Sequence, residues 1–227
     1  MKTIHLKTTT STNDYAKEYL EQLPDKTLIT ADFQTAGKGR FSRRWHSEKN
    51  KNFLATLLLK KPITYTKALI IATLSVVDTL LKYKVKGYIK LPNDIYVHDK
   101  KIAGILIEMN QPTTYCLMGI GINLNDVMDE FKNQATSLKE HKGSSVDIKV
   151  FEKRFIEILK YHLKEDYKDQ FHRFKQVVLS KDPIVLLENK YYPLQDMDAS
   201  FQCKVNERWL PCQYLEFVIN EKHNNYK

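Results

Sequence analysis

Between residues 66 and 84 the apolar side chains Leu69, Ile70, Leu74, Val77, Leu80 and Leu81 recur at intervals of three and four. That period predicts an amphipathic helix. It constrains the fold more than any other stretch, because a helix of that length buries its apolar face only against a sheet or other helices. A second helical pattern spans residues 146–167, carried by Val150, Phe151, Phe155, Ile158, Leu159 and Leu163. Short strands fall between the two, over residues 88–90, 94–98, 101–109 and 115–123, with Asp99-Lys100 as a hairpin turn. Upstream, residues 52–59 are apolar enough throughout to form a central strand. Residues 27–33 and, with a modest alternation at Ile4 and Leu6, residues 1–10 read as further strands. Ser11-Thr12-Asn13-Asp14 has the hydroxyl and acid of a helix start, followed by the face Tyr15, Ala16, Tyr19, Leu20 and Leu23. The expected class is α+β: a mixed β-sheet with helices on one side. After Ser180-Lys181-Asp182-Pro183 the texture changes to short strands over 184–187, 200–205 and 209–219. We therefore expect one unit over residues 1–180 and a small β unit over 181–227, ending in a loose polar tail from Asn220.

A chain of 227 residues supports one large domain, or one domain with an appendage. With 42% hydrophobic and 28% charged residues it belongs with globular rather than disordered sequences. No apolar stretch approaches the length of a membrane span, and the N-terminus has no signal-peptide pattern, so no membrane association and a cytoplasmic location are expected. Cys116, Cys203 and Cys212 include no C-x-x-C pair, and an odd number does not make a disulfide framework. Cys116 lies in an apolar run and reads as a small buried hydrophobe. No histidine or cysteine spacing suits zinc, and no structural metal is expected. The net charge of +9 suits nucleic acid, an anionic surface or an acidic protein partner. Lysines are spread along the whole chain, which favours general surface charge plus an anion site over a nucleic-acid face.

Gly37-Lys38-Gly39-Arg40-Phe41-Ser42-Arg43-Arg44-Trp45 follows a predicted strand. Glycines admit a ligand close to the backbone, arginines bind carboxylates and phosphates through paired hydrogen bonds, and tryptophan offers a face for a ring. The stretch suits a loop that wraps a small anion such as a nucleotide. Lys90-Leu91-Pro92-Asn93-Asp94 is good turn chemistry; alternatively, Lys90 faces phosphate and Asp94 a metal-bound phosphate. Lys101 opens an apolar strand ending at Glu108, either as a plain strand-end charge or as a cation facing a carboxylate under activation. Of seven glycines, five gather at Gly37 and Gly39, at Gly104, and at Gly119 and Gly121, as turn residues or as places of close approach to a ligand.

Taken together these stretches resemble the biotin protein ligases. Ser11-Thr12-Asn13, Gln34 to Trp45, Lys90 to Asp94, Lys101 to Glu108, and Gly119-Ile120-Gly121-Ile122-Asn123 match five family motifs in order and spacing. The resemblance covers about residues 4–175. It implies a sheet-and-helix fold like that of the class II aminoacyl-tRNA synthetases, with a small SH3-like C-terminal β domain, here short and free of glycine over 181–227. It implies activation of biotin by ATP to biotinyl-5′-AMP and transfer of biotin to a lysine of a biotin carboxyl carrier protein, with Mg²⁺ held mainly by the phosphates. By the same resemblance Ser11, Thr12, Asn13 and Gln34 hold the biotin head. Lys38, Gly39 and Arg40 close over its carboxylate, and Arg40 retains the adenylate. Arg43, Lys90 and Asn93 face ATP. Trp45 stacks on adenine beside Asn123, Lys101 polarises the acyl carbonyl, and Asp94 holds metal-bound phosphate or takes the lysine proton. The family occurs as monomers and homodimers.

Lys38 replaces the family's arginine, Ser42 a glycine and Leu91 a tryptophan. A lipoate ligase or octanoyl transferase is one alternative, although Cys116 is poorly placed as a nucleophile. A paralogue that binds biotin without transferring it is another, given Lys38, Ser42 and the short tail. The motifs begin within the first dozen residues, which leaves no room for an N-terminal DNA-binding domain, so a ligase without DNA binding is expected.

Overall fold

The computed structural model describes residues 1–110 and 115–218. The expected tail from Asn220 lies outside the described residues. The main sheet is built from β1 (Lys2–Leu6), β2 (Thr27–Ala31), β3 (Asn52–Leu59), β4 (Tyr88–Lys90), β5 (Asp94–Val97), β6 (Lys100–Met109) and β7 (Cys116–Asn123). Its order is β1-β2-β3-β7-β6-β5-β4; β1 and β2 are parallel and the other pairs antiparallel. The mixed sheet is as expected. β3 and β7 are buried along their whole length, which is why they read as continuous apolar runs.

The helices are α1 (Thr12–Glu18), α2 (Tyr65–Lys82), α3 (Leu138–Lys142), α4 (Ile148–His162) and α5 (Tyr167–Leu179). α2 is buried nearly all round, between the sheet and α4 with α5, rather than along one stripe. Its buried hydroxyls Thr73, Ser75 and Thr79 donate to carbonyls one turn back, which satisfies them inside the core. The expected helix over 146–167 is broken. α4 ends at His162, and Asp166 starts α5 by accepting from the Lys168 N–H at 2.8 Å. α1 departs from the one-sided arrangement: with Ala16 it covers Ile29, Leu58 and Leu117, which point away from the α2 side. It also stops at Glu18, before the apolar Leu20 and Leu23, which sit in a following turn.

A second sheet comprises β8 (Ile184–Leu187), β9 (Lys190–Met197), β10 (Gln202–Val205), β11 (Arg208–Pro211) and β12 (Glu216–Val218), in the order β11-β10-β9-β8-β12. β9 is absent from the sequence reading. The turn that leads into it, Glu188-Asn189, and that of the β10–β11 hairpin, Asn206-Glu207, have positive φ at both positions without glycine, so the usual hairpin signal is missing. The stretch read as one strand over 209–219 is interrupted by a short 3-10 turn at Cys212–Tyr214. The cysteine expectation is corrected here. Cys203 on β10 and Cys212 form a disulfide, and Cys116 is the free, buried cysteine. The pair is nine positions apart in sequence, but antiparallel pairing of β10 with β11 folds them together, with Cα atoms 5.4 Å apart. The apolar core continues from α5 into this sheet through Phe174 and Phe201.

Candidate active site

After β2 the chain leaves the sheet and returns as a hairpin. The Trp45 N–H donates to Gly37 O at 3.0 Å, Gly39 N–H to Arg43 O at 2.8 Å, and Arg43 N–H to Arg40 O at 3.1 Å. Arg40-Phe41-Ser42-Arg43 is therefore the tip, with Phe41 and Ser42 in left-handed backbone at φ 54° and 59°. That conformation costs a side-chain-bearing residue roughly 1–2 kcal/mol. Ser42, where the motif has glycine, occupies one of these two positions.

A cavity of about 400 Å³ lies beside the hairpin, and Ser11, Thr12, Asn13, Gln34, Lys38, Gly39, Arg40, Arg43, Trp45, Lys90, Asn93, Asp94 and Lys101 all line it. Asn123 does not. It lines an adjoining cavity of about 200 Å³, with Trp45 and Lys101 common to both. Asn123 Oδ1 accepts from Asn52 Nδ2 at 2.9 Å, and its Nδ2 donates to Thr136 O at 3.1 Å, so its carboxamide ties the wall of the second cavity together.

One end of the main cavity is neutral and polar. Ser11 caps α1, its Oγ accepting from the backbone N–H groups of Asn13 and Asp14. That fixes Thr12 and Asn13 facing β3 and β7. Gln34 Oε1 accepts from Thr12 N–H at 2.7 Å. Asn13 Nδ2 donates to Glu108 Oε2 at 2.7 Å, and Thr56 Oγ1 lies against Asn13 Oδ1 and Thr12 Oγ1.

The other end is cationic. Arg40 Nη1 donates to Asn93 Oδ1 at 3.1 Å, which ties the hairpin tip to the corner between β4 and β5. Asn93 is itself held by its Nδ2 donating to Ile105 O at 2.8 Å. Lys101 Nζ pairs with Asp94 at 2.7 Å and stands 5.7 Å from the centre of the Trp45 ring. Lys90 Nζ lies 5.3 Å from the Tyr96 ring. Burial, and secondly the charge of Asp94, push the Tyr96 hydroxyl up to about 12, so it remains a neutral phenol. Lys38 is turned away from the rest: its Nζ meets Asp14 on α1 at 2.6 Å, at the rim.

Trp45 divides the two cavities because two glycines make room for it. Gly104 and Gly121 face each other across β6 and β7. A Cβ on Gly121 would overlap the indole, and one on Gly104 would stand 3.1 Å from it. The glycine clusters of the sequence thus include a seat for the tryptophan. Sequence reasoning missed Thr56 and Lys17, which carry no motif. It also missed His46, Met128 and Phe131 in the second cavity, and Leu215, Glu216 and Phe217, which reach the main cavity from the second sheet. Glu108 was visible as the last residue of a motif without a role. Cys116 is fully buried in β7, and burial pushes its thiol up to about 12, which removes it as a nucleophile. Among the described residues no cluster of His, Cys, Asp or Glu is suited to a metal, and no helix is long and apolar enough to cross a membrane.

Comparison with known proteins agrees with this geometry. The chain is 37% identical over 151 residues to the bifunctional ligase/repressor BirA of Bacillus subtilis, covering 58% of this chain and 46% of the relative. It is 30% identical over 122 residues to the biotin–[acetyl-CoA-carboxylase] ligase of Mycobacterium tuberculosis, covering 50% and 45%. The chain therefore spans about half the length of the curated relatives it matches. The biotin protein ligase of Aquifex aeolicus, solved in complex with biotin and ATP, superposes with a TM-score of 0.82 at 25% identity, covering 96% of this chain and 99% of that one. The model of the biotin/lipoate A/B protein ligase family matches residues 5–125, from β1 through β7, and the chain belongs to that family.

Proposed function

We propose that this protein is a biotin protein ligase, which activates biotin with ATP and transfers it to a lysine of a biotin carboxyl carrier protein domain. The observation that carries the reading is the two-ended cavity: neutral hydrogen-bonding groups at α1 and Gln34, cations at Arg40, Arg43, Lys90 and Lys101, and Trp45 at the entrance to a second cavity. The biotin head sits against Ser11, Thr12, Asn13 and Gln34, which places its carboxylate among the cations. In the first step a carboxylate oxygen forms a bond to the α-phosphorus and pyrophosphate leaves. Both reactants are anions, and the clustered positive charge offsets their repulsion in a site of reduced dielectric. Arg43 and Lys90 hold the phosphates, and adenine lies against Trp45 in the cavity bordered by Asn123. Arg40, anchored on Asn93, closes over the adenylate and limits its escape.

In the second step a lysine amine of the carrier bonds to the acyl carbon, AMP leaves, and the amine loses a proton. Lys101 polarises the acyl oxygen in both steps. Asp94 lies beside it, to hold metal-bound phosphate or to accept that proton. Mg²⁺ supplies charge neutralisation of the triphosphate. The paired Asp94 and the lack of any larger acidic cluster among the described residues suit an ion that arrives with ATP. In this reading residues 1–180 carry the chemistry and 181–227 form a small β domain completing the cavity wall. The protein works as a ligase, as a monomer or homodimer. The buried Cys116 disfavours a cysteine-dependent acyl transferase. The test is biotin-dependent exchange of pyrophosphate into ATP, followed by mass analysis of a carrier domain. Exchange and a biotin-sized mass gain are expected. Absence of exchange refutes the ligase reading, and exchange without mass gain supports a paralogue that only activates.

A further inference from the structure

Lys101 stands where the main sheet gives its backbone little support. β7 ends at Asn123, and its pairing with β6 begins only at Ala103. On the other side the pairing with β5 skips Ile102, so Lys101 adjoins a bulge. A return of the chain after β7 supplies the missing partner. Lys101 N–H donates to Gln134 O at 3.0 Å, and Thr136 N–H donates to Lys101 O at 2.9 Å. Residues 134–136 thus run beside Lys101 in a short parallel bridge. The Thr136 carbonyl accepts from Asn123 Nδ2 at 3.1 Å, which ties the same residue to the end of β7. Its hydroxyl is held from α3, with Glu140 Oε2 at 2.6 Å and His141 Nε2 at 2.9 Å. A carboxylate only accepts, so Thr136 donates to Glu140 and His141 donates to Thr136. Burial, ahead of any nearby charge, holds His141 below the ordinary imidazole range. At neutral pH its single ring proton therefore stands on Nε2. Thr136 is buried, with its amide, carbonyl and hydroxyl all engaged.

We propose that Thr136 is a positioning residue for the reaction: anchored on α3 by its hydroxyl, it fixes the backbone of Lys101 and so the place of the Lys101 ammonium group. That cation acts only where it meets the acyl oxygen, and a displacement on the order of 1 Å costs up to about a hundredfold in rate. The polar end of the main cavity is built on α1, Thr56 and Gln34, away from this contact, so biotin binding changes little. The inference rests on the biotin ligase reading.

Thr136→Val keeps the shape and removes the hydroxyl. At saturating ATP it should lower kcat about tenfold or more and leave the KM for biotin within about twofold. Thr136→Ser keeps the hydroxyl and should stay within about twofold of the unmutated protein in both. Equal losses in the two variants would mean that the methyl group matters rather than the anchor, and would overturn the proposal. The deciding comparison repeats T136V in a Lys101→Ala background, by single-turnover biotinylation. If Thr136 acts through Lys101, the second substitution adds less than about twofold there. A tenfold loss in both backgrounds overturns the proposal, as does no loss in either. If T136V does not fold, Glu140→Ala removes the acceptor at the surface and should show the same dependence on Lys101. No loss in E140A, or one that persists beside K101A, overturns it too. In the protein without substrates, hydrogen exchange of the Lys101 amide should speed up about tenfold in T136V and stay unchanged in T136S. Equal protection in T136V and the unmutated protein refutes the anchor. If the unmutated protein neither binds biotin nor exchanges pyrophosphate, the ligase reading fails, and amide exchange still decides whether Thr136 holds Lys101.

Discussion

Lys101 and Gly121 show how little backbone separates the two cavities. Lys101 Nζ touches Asp94 on one side and overhangs Trp45 on the other, and its ion pair is about one-third exposed. Such pairs contribute at most about 1 kcal/mol to stability, whereas a cation aimed at developing charge contributes a factor on the order of 10² or more in rate. Lys101→Ala should therefore lower kcat by at least about a hundredfold with little change in thermal midpoint, measured by single-turnover biotinylation beside calorimetry. Near-normal turnover would remove Lys101 from the chemistry. Gly121→Ala places a methyl group where the indole lies. Trp45 must move, and the KM for ATP should rise about tenfold while biotin binding changes less. The importance of Lys101 and Gly121 was legible in the sequence, as motif members. Their shared partner was not: the Gly104–Gly121 pairing that seats Trp45 joins residues from different strands.

At the scale of elements, the junction of α2, α4 and α5 depends on one polar cluster. Buried His162 at the end of α4 contacts Asp78 of α2 through Nε2 and Glu165 through Nδ1, both at 2.8 Å, and Arg173 of α5 also pairs with Asp78. Burial raises the Asp78 carboxyl, but the hydrogen bonds from His162 and Arg173 outweigh it and hold the group below the ordinary carboxylate range. A group depressed in the folded state contributes stability above its unfolded pKa and loses it as pH falls through the folded one. The protein should therefore lose stability as pH falls below about 4. Asp78→Asn should cost on the order of 2 kcal/mol at neutral pH and flatten that acid limb, as urea titrations over pH will show. An unchanged acid limb would mean that Asp78 does not drive it. The sequence carried the apolar face of α4, but the period alone ran on past the break at Asp166. An N-cap competes with helix continuation only when its N–H partners are free to use it.

For the molecule as a whole, the second sheet is the least legible part. Its hairpins turn on Glu-Asn and Asn-Glu pairs, and its disulfide joins cysteines whose number argued against pairing. Closing a nine-residue separation stabilises by about 2–3 kcal/mol in the chain-entropy account. Cys203→Ser with Cys212→Ser should lower stability by about that amount and raise the KM for ATP through Leu215, Glu216 and Phe217, which the sheet presents to the cavity. Loss of stability without a change in KM would separate the sheet from the site. By itself the sequence determined the mixed sheet, the long helix α2, and nearly every residue that lines the cavity, because period and local motif are written in neighbouring residues. Tertiary structure alone decided that α1 crosses to the other face, that α2 is buried nearly all round, that Cys203 meets Cys212, and that Thr56 and Glu108 both meet the Asn13 carboxamide. Those outcomes depend on packing and on donor–acceptor accounting between distant segments, and neither has a local signature.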